Sequence, residues 1–205
     1  MEIEKIDASM LNKGKVIDKI ALVYKEAFGN DPWNEGYKCP VCGNNFPLSY
    51  AAINCPLCKV PLIEYWPTKK IISDFYQQIA KDESICLIAR NEDKIIGFAW
   101  GYKMDADGSI DEYLDAPKLH NLINGPLFYI DEVGVSPSCQ NNGIGKKLVG
   151  AILQERKYGK VMLRTINESR MFDIFTALGG KTILAISRKR VIMLLDSAAS
   201  MMAPL

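Results

Sequence analysis

Histidine is nearly absent, with one in 205 residues, and neither charge dominates: 25 Lys and Arg stand against 24 Asp and Glu. The lone His120 lies in a polar stretch, Asp105 to Asn124, and is expected to be an ordinary surface residue. No imidazole is therefore placed to activate Cys139 as a nucleophile. Balanced charge gives no support to a generalised nucleic-acid or membrane-surface role. No apolar run approaches the length that spans a bilayer, and the opening MEIEKIDAS is acidic where a secretory leader would be basic and then apolar. The expected compartment is the cytoplasm. Two familiar phosphate loops are also missing: the P-loop spacing of lysine and hydroxyl, and the three-glycine dinucleotide fingerprint.

With 48% hydrophobic residues, the chain can bury one core and carry a small appendage. Met1 to Ile6 alternates as a first strand, and Val16 to Phe28 repeats at helical spacing up to Gly29-Asn30, a C-cap signal. A second helix starts at Pro67 with Ile71, Ile72, Phe75, Tyr76 and Ile79 on one face. Ile85 to Ala89 and Ile95 to Trp100 read as a hairpin, with Cys86 as a small core residue. Further on, Leu127 to Val135 and Lys160 to Ile166 read as strands and Asn167 to Leu178 as a helix. Lys181 to Ser187 with Val191 to Leu195 makes a last hairpin, with Arg188, Lys189 and Arg190 solvated at its tip. Ser197 to Leu205 has the look of a frayed tail.

The organising stretch runs from Leu127 to Tyr158: a strand, the turn Gln140-Asn141-Asn142-Gly143-Ile144-Gly145, and a helix with Ile144, Leu148, Val149, Ile152 and Leu153 on its buried face. Two glycines one residue apart at a helix start bring free backbone N–H groups close to a ligand, without Cβ atoms in the way. The helix dipole, with Lys146 and Lys147, makes this end suited to a phosphate.

Four of the six cysteines form two C-x-x-C pairs, Cys39/Cys42 and Cys55/Cys58. Two such knuckles supply the four thiolates of a tetrahedral site with no open position, hence a structural metal. Zn²⁺ is expected and iron is the alternative, whereas a redox dithiol needs only one C-x-x-C. The insertion, residues 36–65, buries too little to fold alone and resembles a zinc ribbon. Its non-basic surface suits a lid or a docking role better than nucleic acid.

The Gln-x-x-Gly-x-Gly turn after a strand ending Glu-Val-Gly-Val resembles the acetyl-CoA signature of the GCN5-related N-acetyltransferase (GNAT) superfamily. The resemblance implies an α+β fold, a mixed and mostly antiparallel sheet flanked by helices, in residues 1–35 and 66–196. It implies acetyl-CoA as cosubstrate, held by Val133, Gly134 and Val135 of a splayed strand, by Gln140, Asn141, Asn142, Gly143, Ile144, Gly145, Lys146 and Lys147, and by Asn167. The acceptor would be a small-molecule or peptide amine; an oligomer is compatible. Glu132 is the implied general base, with a cation-paired structural glutamate as the alternative. Strand alternation sets Glu132 with Phe128 and Ile130, and Asp131 on the opposite face, unless a bulge intervenes. Trp33, in Asp31-Pro32-Trp33-Asn34-Glu35, either lines the acceptor pocket or packs over the helix end. The family often has a proton-donating tyrosine where this chain has Phe175, with Tyr129 only a distant substitute. That departure keeps a non-catalytic acyl-CoA sensor, or a metal-stabilised adaptor, as the alternative function.

Overall fold

The computed structural model describes residues 1–11 and 15–196; the tail from Ser197 lies outside them. In chain order the strands are β1 (Glu2–Lys5), β2 (Tyr37–Lys38), β3 (Asn45–Phe46), β4 (Ile63–Glu64), β5 (Ile85–Asn91), β6 (Lys94–Met104), β7 (Leu127–Val135), β8 (Lys160–Ile166), β9 (Lys181–Ala185) and β10 (Arg190–Asp196). The helices are α1 (Ala8–Leu11), α2 (Val16–Phe28), α3 (Thr68–Ile79), α4 (Gly108–Leu114), α5 (Ile144–Glu155) and α6 (Arg170–Ala177). A seven-stranded sheet runs β1-β5-β6-β7-β8-β10-β9. Its one parallel pair, β7 with β8, is joined through α5, since parallel neighbours need a crossover. The fold is thus α+β, with a mostly antiparallel sheet flanked by helices.

Near-continuous apolar runs in β5, β6 and β7 fit strands covered on both faces. One face carries Leu87, Ala99, Ile130 and Leu163 under Leu148, Val149 and Ile152 of α5 and Phe175 of α6. The opposite face is shared. Cys86, Ile88, Phe98 and Trp100 pack beneath α2 and α3, while Tyr102, Tyr129, Met162 and Ile192 pack beneath α4 and the 3₁₀ turn at Leu119–Leu122. A seam is left between those two clusters.

Several boundaries differ from the periodicity. Lys94–Met104 outruns its expected strand, because Gly101 and Tyr102 stay buried and pairing with β7 runs on to Met104. Helix α6 starts three residues late: Ser169 takes the N-cap and its hydroxyl accepts from the Phe172 N–H at 3.2 Å, so Asn167 stays in the preceding turn. Gly29 is not a left-handed cap, with φ −72. A Cβ there would fall 2.3 Å from the Leu48 side chain, so the glycine serves close approach by the insertion. Lys189 is not simply solvated, since its ammonium pairs with Glu168 at 2.8 Å.

That insertion builds a second sheet, β3-β2-β4, with Tyr37 opposite both Phe46 and Glu64. It is fastened to the end of α2 by the Leu48 N–H, which donates to the Gly29 carbonyl at 2.7 Å, and its own two ends are joined by the Tyr65 N–H, which donates to the Gly36 carbonyl at 3.1 Å. Lys25 and Glu64 form an ion pair at 2.5 Å. Among the described residues, no helix is long and apolar enough to cross a membrane.

Candidate active site and metal centre

Pairing of β7 with β8 is confined to Phe128 opposite Val161, Tyr129 opposite Met162 and Ile130 opposite Leu163. Beyond those positions β8 stays with β10, and β7 stays with β6 out to Val135. The two central strands therefore splay, and a cleft of about 410 Å³ opens at their divergence. Val133, Gly134, Val135, Gln140, Asn141, Gly143, Ile144, Gly145 and Lys146 all line it. Asn142, Lys147 and Asn167 do not. The Asn142 amide instead donates to the carbonyls of Cys139 and Gln140 at 3.3 and 3.2 Å, tying the loop to itself. The Asn167 N–H donates to the Lys189 carbonyl at 2.9 Å, across the β8–β10 hairpin.

The loop's shape has local causes. Asn141 and Gly143 are both left-handed, with φ 63 and 73, and Gly143 caps α5; asparagine and glycine are the residues that tolerate this region best. The Gln140 amide donates to the Val135 carbonyl at 3.0 Å, so its side chain closes the loop onto the strand end. The opposite wall was not visible in the sequence: Ser169, Arg170, Met171, Asp173 and Ile174 from the start of α6, and Ala27, Phe28, Asp31 and Pro32 from the end of α2. Trp33 also lines the cleft and packs edge-on against Phe28, with ring centroids 5.5 Å apart. The packing over the helix end is thus observed, and the ring borders the cleft as well. Phe175 is fully buried beneath the sheet, away from the cleft.

Next to the cleft, β7 carries a bulge. Trp100 pairs with Glu132 but Gly101 pairs with Ile130, leaving Asp131 as the extra residue. Simple alternation is corrected accordingly. The bulge turns Glu132 to the α2 side, where the Tyr24 hydroxyl donates to its carboxylate at 3.1 Å, and Asp131 lies on that side too, accepting from the Trp100 indole at 3.3 Å. Val133 instead joins Ile130 over α5. Glu35 completes a trio of carboxylates, held by the Trp66 indole at 2.8 Å. Tyr24 stacks near Phe98 and Trp100 and meets Trp66 edge-on.

Burial is the main cause that raises the Glu132 carboxyl well above the usual carboxylate range, and repulsion from Asp131 and Glu35 adds to it. The Tyr24 hydrogen bond and Arg164 act the other way without prevailing. Asp131 and Glu35 are raised by burial as well, opposed chiefly by Lys81 and by the Trp66 hydrogen bond respectively. Such a site holds a carboxyl whose proton exchanges nearer to neutral pH than that of a free side chain. His120 stands elsewhere, its ring nitrogen 2.8 Å from the carboxylate of Asp111 in the middle of α4, which ties the Leu119–Leu122 turn to that helix.

Cys39, Cys42, Cys55 and Cys58 converge, their sulfurs all within 4.8 Å of one another. The Cys42–Cys55 Sγ separation is 3.8 Å, about the edge of a tetrahedron whose metal–sulfur bonds are ~2.3 Å. Each knuckle closes with a left-handed residue, Gly43 at φ 73 and Lys59 at φ 60. Backbone N–H groups of Cys42 and Cys58 point at the sulfurs of Cys39 and Cys55, at 3.4 and 3.5 Å. The Cys39 thiol is lowered to about 6 by its hydrogen bond from Cys42, while Cys58 is pushed up to about 12 by its bond to the Cys42 sulfur and by neighbouring sulfur charge. Four thiolates this close repel unless a cation sits among them, so the donor set fits a closed tetrahedral metal.

Comparison with known proteins agrees with this geometry. Solved structures similar to this chain include PH1933 from Pyrococcus horikoshii, at 16% identity and TM-score 0.59 over 95% of this chain and 98% of that one. A histone acetyltransferase HPA2 and related acetyltransferase from Corynebacterium glutamicum gives 19%, 0.57, 96% and 97%. An aminoglycoside 6'-N-acetyltransferase complexed with coenzyme A gives 13%, 0.54, 96% and 97%. At these identities they show a shared fold. No curated protein sequence matches the chain. The model of the acetyltransferase (GNAT) family matches residues 54–170, and with more than half its length inside that match, this chain belongs to the GNAT family of acetyltransferases.

Proposed function

We propose that the chain transfers the acetyl group of acetyl-CoA to a primary amine by direct attack, with Glu132 as general base. The observation that carries this reading is the bulge at Asp131, which turns Glu132, a carboxylate made more basic by burial, to the α2 side of β7 just past its last pairing with β8. The CoA diphosphate would rest on the first amides of α5, where nothing in the protein itself demands the second glycine: a Cβ on Gly145 would meet Ile174 at an ordinary 3.4 Å. Close approach by a phosphate is a physical reason for glycine there. Lys146 supplies charge at the same end.

An alkylammonium holds its proton to about pH 10.4, so Glu132 accepts that proton before attack. The nitrogen then bonds to the thioester carbonyl carbon, and the oxygen gathers charge toward a backbone N–H of the released edge of β7 near Val133. The carbon–sulfur bond breaks with its electron pair on sulfur, and the nitrogen's second proton leaves with it or to solvent. A thiol of pKa about 8.5 departs tolerably as thiolate, so the lack of a hydroxyl at Phe175 does not forbid turnover. The four cysteines would hold Zn²⁺ in a structural role, making residues 36–65 a metal-dependent module on a transferase formed by residues 1–35 and 66–196.

Acetyl-CoA consumption across a panel of amines tests the reading. Turnover that Glu132→Gln abolishes while CoA affinity persists supports it. Tight CoA binding with no turnover by the metal-loaded protein would make the chain an acyl-CoA sensor.

A further inference from the structure

The seam between the two clusters on the α2 side of the sheet is charged in both senses. Asp131 and Glu132 project from β7 and Glu35 from the base of the insertion. Across the splay, Arg164 of β8 and Arg190 of β10 stand on the same sheet face: Arg164 pairs with Ile192, which belongs to that face, and Arg190 lies two residues before it. Both side chains are exposed. Arg164 spends one donor on the Leu114 carbonyl at 3.2 Å. Among the described residues, the arginine ion pairs that form are Arg90–Glu4 and Arg170–Asp173, so neither Arg164 nor Arg190 has a carboxylate partner. Yet each acts on Glu35, and Arg164 on Glu132 and Asp131 as well. Both arginines therefore lie on the sheet face that carries the base, across the splay from it.

On the transferase reading, we infer that the acceptor is zwitterionic: its amine is delivered to Glu132 on β7, and an anionic group on the same molecule is held by Arg164 and Arg190 on the far side of the splay. A planar guanidinium offers paired donors to a carboxylate or phosphate and keeps its charge throughout the working pH range. A diamine fits this seam poorly. Its amine would find Glu132, but its second ammonium would have to share the space with two guanidiniums. An alkylamine with no second charged group leaves both arginines without a direct ion-pair partner. Arg164 and Arg190 are thus specificity-determining residues, distinct from the amides of the Gln140 to Gly145 loop that would take the CoA diphosphate.

The experiment compares amino acids, from α-amino to ω-amino, each with its own carboxamide and with the diamine of the same carbon skeleton. Aminoalkyl phosphates serve as a separate arm, to tell a carboxylate from a phosphate ester. Charged hydrogen bonds imply that the anionic member of the best set exceeds its carboxamide and diamine in kcat/KM by about tenfold or more. Arg164→Gln or Arg190→Gln should erase that preference, mainly through acceptor KM, with CoA affinity from calorimetry unchanged; Arg164→Lys should recover part of it. A preference for the diamine or carboxamide, or an acid preference that survives both Gln variants, overturns the assignment. Turnover of other amines but of no anionic member of these sets overturns it too, whereas CoA binding without turnover of any amine removes the transferase reading itself. Loss of CoA binding by the folded wild-type protein removes the transferase reading instead.

Discussion

The two sides of β7 at the splay are built differently. The side facing α5 is backbone: one loop of Gln140 to Gly145, closed by hydrogen bonds that its Gln140 and Asn142 side-chain amides donate to the carbonyls of Val135, Cys139 and Gln140. The side facing α2 is side chain, with Tyr24, Glu35, Trp66, Trp100, Asp131, Glu132, Arg164 and Arg190 arriving from segments scattered through the chain. A backbone seat recognises a group common to many ligands, such as a diphosphate. A side-chain seat can be rewritten one residue at a time, which suits a variable acceptor.

Removing the metal should separate the two sides most forcefully. Structural zinc contributes on the order of 10–16 kcal/mol in small zinc folds. Chelation, or Cys55→Ser, is therefore expected to unfold the insertion, loosen Glu35 and Trp66 and raise acceptor KM, with CoA binding much less affected; calorimetry with CoA beside acceptor kinetics checks this. Equal loss of both would show the sides to be one unit. Next in size, Glu132→Gln should lower kcat by about 10²–10⁴-fold and leave the affinity for CoA intact. On the backbone side, Gly145→Val should weaken CoA by about tenfold or more, the equivalent of one charged hydrogen bond, with the melting temperature nearly unchanged.

A smaller effect concerns pH. The Asp131 charge helps to raise the Glu132 carboxyl, so Asp131→Asn should move the acid limb of the rate profile to lower pH. The same shift has a stability counterpart. A carboxyl raised in the folded state favours folding when protonated and loses that advantage as pH rises from the ordinary carboxylate range through its folded value. Glu132→Gln should consequently melt higher than wild type, with a margin that widens over that window in thermal scans. A Gln variant that melts lower at every pH would deny that burial strains this carboxylate.

Legibility in the sequence follows the same division. Helical spacing, the glycine turn and the two C-x-x-C pairs are local patterns, and each led to the element or cluster found. The bulge has no local mark: Asp131 and Glu132 read as ordinary alternation, and only pairing with β6 reveals the surplus residue. Glu35 and Trp66 were invisible as partners because a 30-residue excursion lies between them. Ser169 to Ile174 were missed as a cleft wall because periodicity reports a helix's buried face, not which turn faces the splay. Gly29 does cap α2, but in a right-handed conformation, and the reason for glycine there is a neighbour from the insertion that the helix's own sequence does not reveal.

The insertion leaves and rejoins the main fold at adjacent points: Tyr37 lies opposite Glu64, and the Tyr65 amide is 3.1 Å from the Gly36 carbonyl. An excursion whose ends already touch can be lengthened, shortened or exchanged without moving a strand of the larger sheet. Its stem carries Glu35 and Trp66 into the seam, so trading one such cassette for another would re-tailor what the enzyme accepts while the machinery for acetyl transfer stays untouched.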